Sequence, residues 1–180
     1  NLLTYSEQFD NAAWTKNELT ITANNATNPN GIQNADTALE TTTNAYHDIL
    51  NTSTSLTLNT NYTLSCFVKY AGREYIYLFV SDGIAAAAVK FNVQTGVVLG
   101  TALGTVVSSK IENYGNGWYR CSMVYTASVS VTGTIAISTT NSPALSLATY
   151  AGDVTKGISV YGAQLNIGST AKPYFPTTDR

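Results

Sequence analysis

The sequence predicts an all-β fold, a two-sheet antiparallel β-sandwich of the jelly-roll kind. Three observations predict it. Runs rich in Val, Ile, Thr and Tyr recur with a period of two, the mark of strands whose side chains alternate between faces. Clusters of Gly, Asn and Asp separate these runs at the short spacing of a sandwich. No long stretch keeps a helical period.

The elements follow in order. A short helical turn is expected at Asp10–Trp14, with Asp10 as its cap. Strands are expected at Glu18–Ala23, Tyr62–Tyr70, Tyr75–Ser81, Ala86–Asn92, Val106–Glu112, Trp118–Thr126, Gly133–Ser138 and Gly157–Leu165. Turn signals punctuate them: NPNG at 28–31, AGRE at 71–74, SDG at 81–83, QTG at 94–96 and YGNG at 114–117. Gly96 and Gly117 are placed to supply positive φ. The simple run IAAAAV at 84–89 fits a strand packed closely on a neighbour, and KPYFPTTDR reads as an exit segment. No linker or internal repeat divides the chain, so 1–180 reads as one domain. The opening NLLTYSEQF lacks a signal-peptide pattern and reads as the start of a fragment or a processed chain.

Composition narrows the function classes. The chain is 44% hydrophobic, enough for a core, but only 11% charged, about half the usual share. Thr, Ser and Asn take the place of charges, so the surface is polar and weakly ionic. The net charge is −2 with no basic run, which argues against a nucleic-acid partner. No apolar stretch approaches the roughly 20 residues of a membrane-spanning helix, so no membrane role is expected. Cys66 and Cys121 are too few and too far apart for a zinc site. They read as two buried small side chains, or as a bridge if their strands are neighbours.

The most informative stretch is Tyr75-Ile76-Tyr77-Leu78-Phe79-Val80. Alternation puts Ile76, Leu78 and Val80 on one face, the core face, and Tyr75, Tyr77 and Phe79 on the other. Three aromatics are unusual on a face that ordinarily carries Thr, Ser or Lys. In the strand at 118–126, Trp118, Arg120, Ser122 and Val124 share a side, and Phe67 and Lys69 share one in 62–70. Placed together on one sheet, Tyr77, Trp118, Arg120 and Lys69 form an aromatic and polar groove. Such a groove suits sugars, whose C–H faces stack on rings while their hydroxyls bond to planar polar groups. The same aromatics serve equally for cross-strand packing or for a subunit interface.

A search for catalytic chemistry finds little. The single histidine, His47, lies beside Asp48 in AYHDIL, but no G-x-S-x-G elbow accompanies it. It reads as a surface or groove residue. The acidic residues fall mostly in turns and strand ends, without the facing carboxylates of a glycosidase. None forms a D-x-D calcium loop, and no P-loop or Rossmann fingerprint occurs. The chain is therefore expected not to be an enzyme and to need no cofactor. One structural calcium, on Glu7 or Asp153 with backbone carbonyls, is the metal site left open.

Several segments together resemble a family. They are NLLTYSEQFDNAAWTK, YTLSCFVKYAGR, FNVQTGVV, NGWYRCSMVYT and GISVYGAQLNIGSTAKPYFPTTD, in that order. The chain resembles the carbohydrate-binding-module-like jelly-roll domains of phage tail, fibre and head-spike proteins, over nearly its whole length. Similar domains accompany polysaccharide-degrading enzymes. The resemblance implies a non-catalytic sandwich that holds glycans or decorates a virion. Those domains often carry an acidic residue after GAQL, where this chain has Asn166, and an aromatic pair where it has Ser159 and Tyr161.

The expected function is a glycan-binding module of a phage virion protein, on the virion surface or extracellular. Its partner is a polysaccharide or cell-surface glycan. Tyr75, Tyr77, Phe79 and Trp118 would stack, and Arg120, Lys69, His47 and Gln164 would hydrogen-bond. One rival is a structural domain whose aromatic face joins copies of itself or other virion proteins. Another is an accessory module of a secreted polysaccharide-degrading enzyme, and a lyase or hydrolase is a more distant third.

Overall fold

In the computed structural model, which describes residues 1–179, there are fourteen strands and no helix among the described residues. In chain order they are β1 (Thr15–Asn17), β2 (Leu19–Thr27), β3 (Gln33–Glu40), β4 (Asn44–Ala45), β5 (His47–Leu56), β6 (Asn61–Ala71), β7 (Tyr75–Ser81), β8 (Ala86–Asn92), β9 (Val97–Leu103), β10 (Ser108–Gly115), β11 (Trp118–Thr126), β12 (Val131–Thr140), β13 (Tyr150–Ala151) and β14 (Gly157–Ile167). The ranges expected for β7, β8 and β11 are the observed ones. The helical turn at 10–14 is instead a non-helical turn, and its cap is Asn11, whose Oδ1 accepts the Ala13 amide at 2.9 Å. Asp10 turns its carbonyl to Lys16.

Two six-stranded antiparallel sheets face each other. The first runs β1-β5-β12-β7-β8-β9 and the second β10-β11-β6-β14-β3-β2. The chain crosses between layers from β5 to β6, β6 to β7, β9 to β10 and β11 to β12, as jelly-roll connections do. The predicted sandwich is therefore present.

Alternation sorts each strand. Ile76, Leu78 and Val80 of β7 meet Cys66, Val68, Cys121 and Met123 of the other sheet in one buried core. Phe9 and Trp14, tilted against each other at 5.1 Å between centroids, add the N-terminal segment to that core. Gly96 and Gly117 have φ of 76° and 83°, as their turns require. At Gly96 a Cβ would also stand 2.4 Å from Tyr119 Cε1. A bulge in β14 at Gly162 (φ 59°) lets residues of odd spacing, Tyr161 and Gln164, both point away from the core. Cys66 and Cys121 are direct cross-strand partners, both buried and both free thiols.

Candidate functional site

The expectation that Tyr77, Trp118, Arg120 and Lys69 share a groove is not met. Tyr77 lies in the first sheet, and the other three lie in or beside β11 and β6 of the second. Their outward parity is as expected, but they point from opposite sides of the sandwich. The molecule therefore has two aromatic outer faces.

The first face is built on rungs that cross the strands. Asp48, Ser138, Tyr77 and Lys90 are successive register partners on β5, β12, β7 and β8. Leu50, Ala136, Phe79 and Ala88 form the next rung. The Tyr77 hydroxyl donates to Asp48 Oδ1 at 3.1 Å, which fixes the ring against the sheet. Burial, and then the Asp48 charge, push the Tyr77 phenol well above its usual range. Lys90 lies under the 141–149 loop, buried, and donates to the Ser142 carbonyl at 3.0 Å. Burial lowers the ammonium's pKa.

Between these rungs and the 141–149 loop lies a groove of about 490 Å³. Tyr77, Phe79 and Leu50 are in its floor, and Tyr46, Leu103 and Leu147 line it too, with Asp48 supplying a carboxylate. Tyr46 is 41% exposed, so its ring is open to a ligand. The alternation of AYHDIL, taken as a strand, marks Tyr46, Asp48 and Leu50 as one face. Tyr75 stands at the end of β7 beside a separate polar cleft of about 250 Å³ that includes Arg73, Glu74 and Gln94.

The second face is largely covered by the chain itself. Trp118 is only 1% exposed, and its Nε1 donates to the Thr27 carbonyl at 2.9 Å. It packs with Phe67, Tyr161 and Ala35 in a small outer cluster. The C-terminal segment crosses this face. Gln164 is buried beneath it, donating to the Lys172 carbonyl and accepting the Phe175 amide. Lys69, the register partner of Trp118, is half-buried with its stem near Gly117. Trp118 and Gln164 thus serve as packing rather than as open contacts.

His47 is not a surface residue. It is fully buried, its ring tilted against Tyr150 at 4.6 Å between centroids, with Nδ1 at 2.8 Å from the Glu18 carbonyl and Nε2 at 3.1 Å from the Tyr150 carbonyl. Both nitrogens face the chain's own oxygens. Beside it Tyr150 donates to Glu40, which also forms a bidentate ion pair with Arg73 at 2.7 Å. Burial raises the Glu40 carboxyl's pKa, but the bonds from Arg73 and Tyr150 outweigh it and hold it below its usual value.

Glu7 and Asp153 lie in separate networks. Glu7 accepts from Tyr161 and Tyr174, while Asp153 accepts from the Thr155 amide and hydroxyl. Among the described residues, no three His, Cys, Asp or Glu side chains group closely enough to hold a metal ion.

No protein-family model and no curated protein matches the chain. Among solved structures it is similar to the enzymatically active domain of tailspike protein 4 of Bacteriophage CBA120, at 14% identity and a TM-score of 0.50, over 91% of this chain and 20% of that one. It also aligns with a carbohydrate esterase of the Shiga toxin-encoding bacteriophage phi24B, at 10% identity and a TM-score of 0.40, over 92% of this chain and 96% of that one. The chain is much shorter than the tailspike protein it matches. At this identity the likeness is one of fold: a β-sandwich of this build occurs inside a phage tailspike.

Proposed function

We propose that the chain is a non-catalytic glycan-binding module of a phage virion protein, exposed on the virion or outside the cell. The observation that carries this reading is the groove on the first sheet. Its volume of about 490 Å³ lies within the range of small-ligand sites, roughly 300–1,000 Å³. Phe79 and Tyr46 offer ring faces, and Asp48 offers a planar acceptor for sugar hydroxyls. The engagement of both His47 nitrogens by backbone carbonyls supports a binding role over a hydrolytic one. The fold's likeness to part of a phage tailspike supports the setting.

A single groove of this kind binds weakly, with Kd on the order of millimolar to micromolar, and repeated copies add avidity. The test is a glycan array followed by titration of Phe79→Ala and Tyr46→Ala. Each is expected to weaken binding at least tenfold while leaving the fold intact. Unchanged affinity in both variants removes this groove from consideration.

A second reading is that the same face joins copies of the chain. Leu103 and Leu145, 41% and 52% exposed, beside the groove favour it. Light scattering separates the two, since a stable oligomer broken by Leu103→Asp supports the interface.

A further inference from the structure

The second sheet carries a buried cation without a counter-ion. Glu112, Arg120, Phe67 and Tyr161 are successive register partners across β10, β11, β6 and β14. Arg120 is only 4% exposed. Its Nη2 donates to Ser65 Oγ at 3.1 Å and to the Lys172 carbonyl at 2.8 Å, while its buried Nε has no hydrogen-bond partner among the described residues. Its guanidinium carbon sits 5.3 Å from the centre of the Phe67 ring. Glu112, the carboxylate directly across the strand pair, turns instead to Lys110 at 2.7 Å. Among the described residues the only ion pairs are that one and Arg73–Glu40.

A charge taken out of water without a partner is costly, so an uncompensated buried guanidinium attracts an anion. With the Nη2 hydrogens given to Ser65 and Lys172, the guanidinium meets an incoming carboxylate as a fixed charge rather than as a two-pronged fork. Arg120 lines a cleft of about 300 Å³ together with Phe67, Tyr114, Tyr161 and Tyr174. Tyr114 makes a T-shaped contact with Phe67 at 4.9 Å between ring centroids and is 45% exposed at the rim of the cleft. A cation in this aromatic cleft would meet Arg120 already over Phe67. An anion meets a complement.

We propose that this cleft is a second saccharide site, on the face opposite the first groove, that takes an acidic pyranose. The sugar carboxylate approaches Arg120, and the ring packs on Tyr114 and Tyr174. The site stands on Arg120 and its cleft alone and does not depend on the groove of the first sheet.

The experiment is an NMR titration of the full chain with trigalacturonate, with a neutral galactose trisaccharide and with acetate. Trigalacturonate is expected to give saturable shifts around Arg120 and Tyr114 that weaken as salt is added. Arg120→Lys, which keeps the charge but loses the planar guanidinium held over Phe67, and Tyr114→Ala should each weaken it about tenfold, one charge-assisted contact's worth. Glu112→Gln should tighten it, because a neighbouring negative charge is removed. Tyr114 is exposed, so its variant reads out even if Arg120→Lys disturbs the C-terminal segment. Equal affinity for the neutral trisaccharide, saturation by acetate, or unchanged affinity in Tyr114→Ala overturns the proposal. Loss of trigalacturonate binding in Phe79→Ala instead places the acid sugar in the first groove, sinking this inference while supporting the earlier one.

Discussion

The hydroxyl of Tyr77 on β7 reaches Asp48 on β5 at 3.1 Å, across Ser138 of the strand between them. One bond thus ties three strands of the first sheet and fixes the floor of its groove. It also explains why Tyr77, read from the sequence as a stacking platform, is only 5% exposed. The ring faces of Phe79 and Tyr46 are left as the more open ones.

Tyr77→Phe should therefore cost about 1–2 kcal/mol, the price of leaving a buried acceptor short of one donor. Chemical denaturation measures it. Alkaline titration followed by phenolate absorbance supplies an independent check. Burial pushes Tyr125 and Tyr161 up to about 12, and Tyr77 is raised as well. A raised folded pKa contributes stability that is whole below the unfolded value, about 10, and drains away as pH climbs past it. The native protein should show a late-ionising class of tyrosines that merges with the rest on unfolding. Tyr77→Phe should remove one member.

At the acid end the sign reverses. Burial raises the Asp82 carboxyl's pKa, but bonds from Ser128, the Ala85 amide and Tyr125 outweigh it and hold it well below the usual range. Glu40 is lowered too. Depressed carboxyls contribute stability present above the unfolded pKa, about 4, and lost as pH falls through the lower folded values. Asp36, raised by burial, works the other way. The net expectation is a denaturation midpoint that drops below about pH 4. Asp82→Asn should cost about 2 kcal/mol at neutral pH and flatten that drop, measured as urea midpoints across the acid range.

The cross-strand thiols offer a simple count. Burial pushes Cys66 up to about 12 and Cys121 well above its usual value. Thiols so protected do not react as thiolates. A thiol-titrating disulfide reagent should find none in the native protein and both after unfolding without reductant. Only a bridged pair would leave both silent in denaturant.

What the sequence made legible was parity. Val, Ile and Tyr alternation located β7, β8 and β11 and told which side chains leave the core. It did not reveal β3 (QNADTALE) or β5 (HDILNTSTSL), whose Asn, Asp, Ser and Ala are poor strand formers. Those strands are held by neighbours, β3 between β14 and β2, β5 between β1 and β12. Sheet membership was hidden for a related reason. It depends on which distant strand is the partner, and alternation carries no such information. Hence parity alone groups Tyr77 with Trp118, whereas the pairing of β7 with β12 and of β11 with β6 puts them on opposite faces. The β14 bulge also broke simple parity, which is why Tyr161 was missed beside Phe67.

That separation yields the sharpest mutational contrast. Trp118 is clamped by Thr27 and packed with Phe67 and Tyr161, so Trp118→Ala leaves a cavity and an orphaned carbonyl. The expected loss is about 3–5 kcal/mol of stability. Phe79 is half-buried on the other face, and Phe79→Ala should cost less stability and more binding. Thermal denaturation and glycan titration of the two variants, side by side, test the assignment. If Trp118→Ala keeps its stability and loses the glycan of the first groove, the ligand lies on the second sheet. If Phe79→Ala unfolds the chain as readily as Trp118→Ala, the first groove is core rather than site.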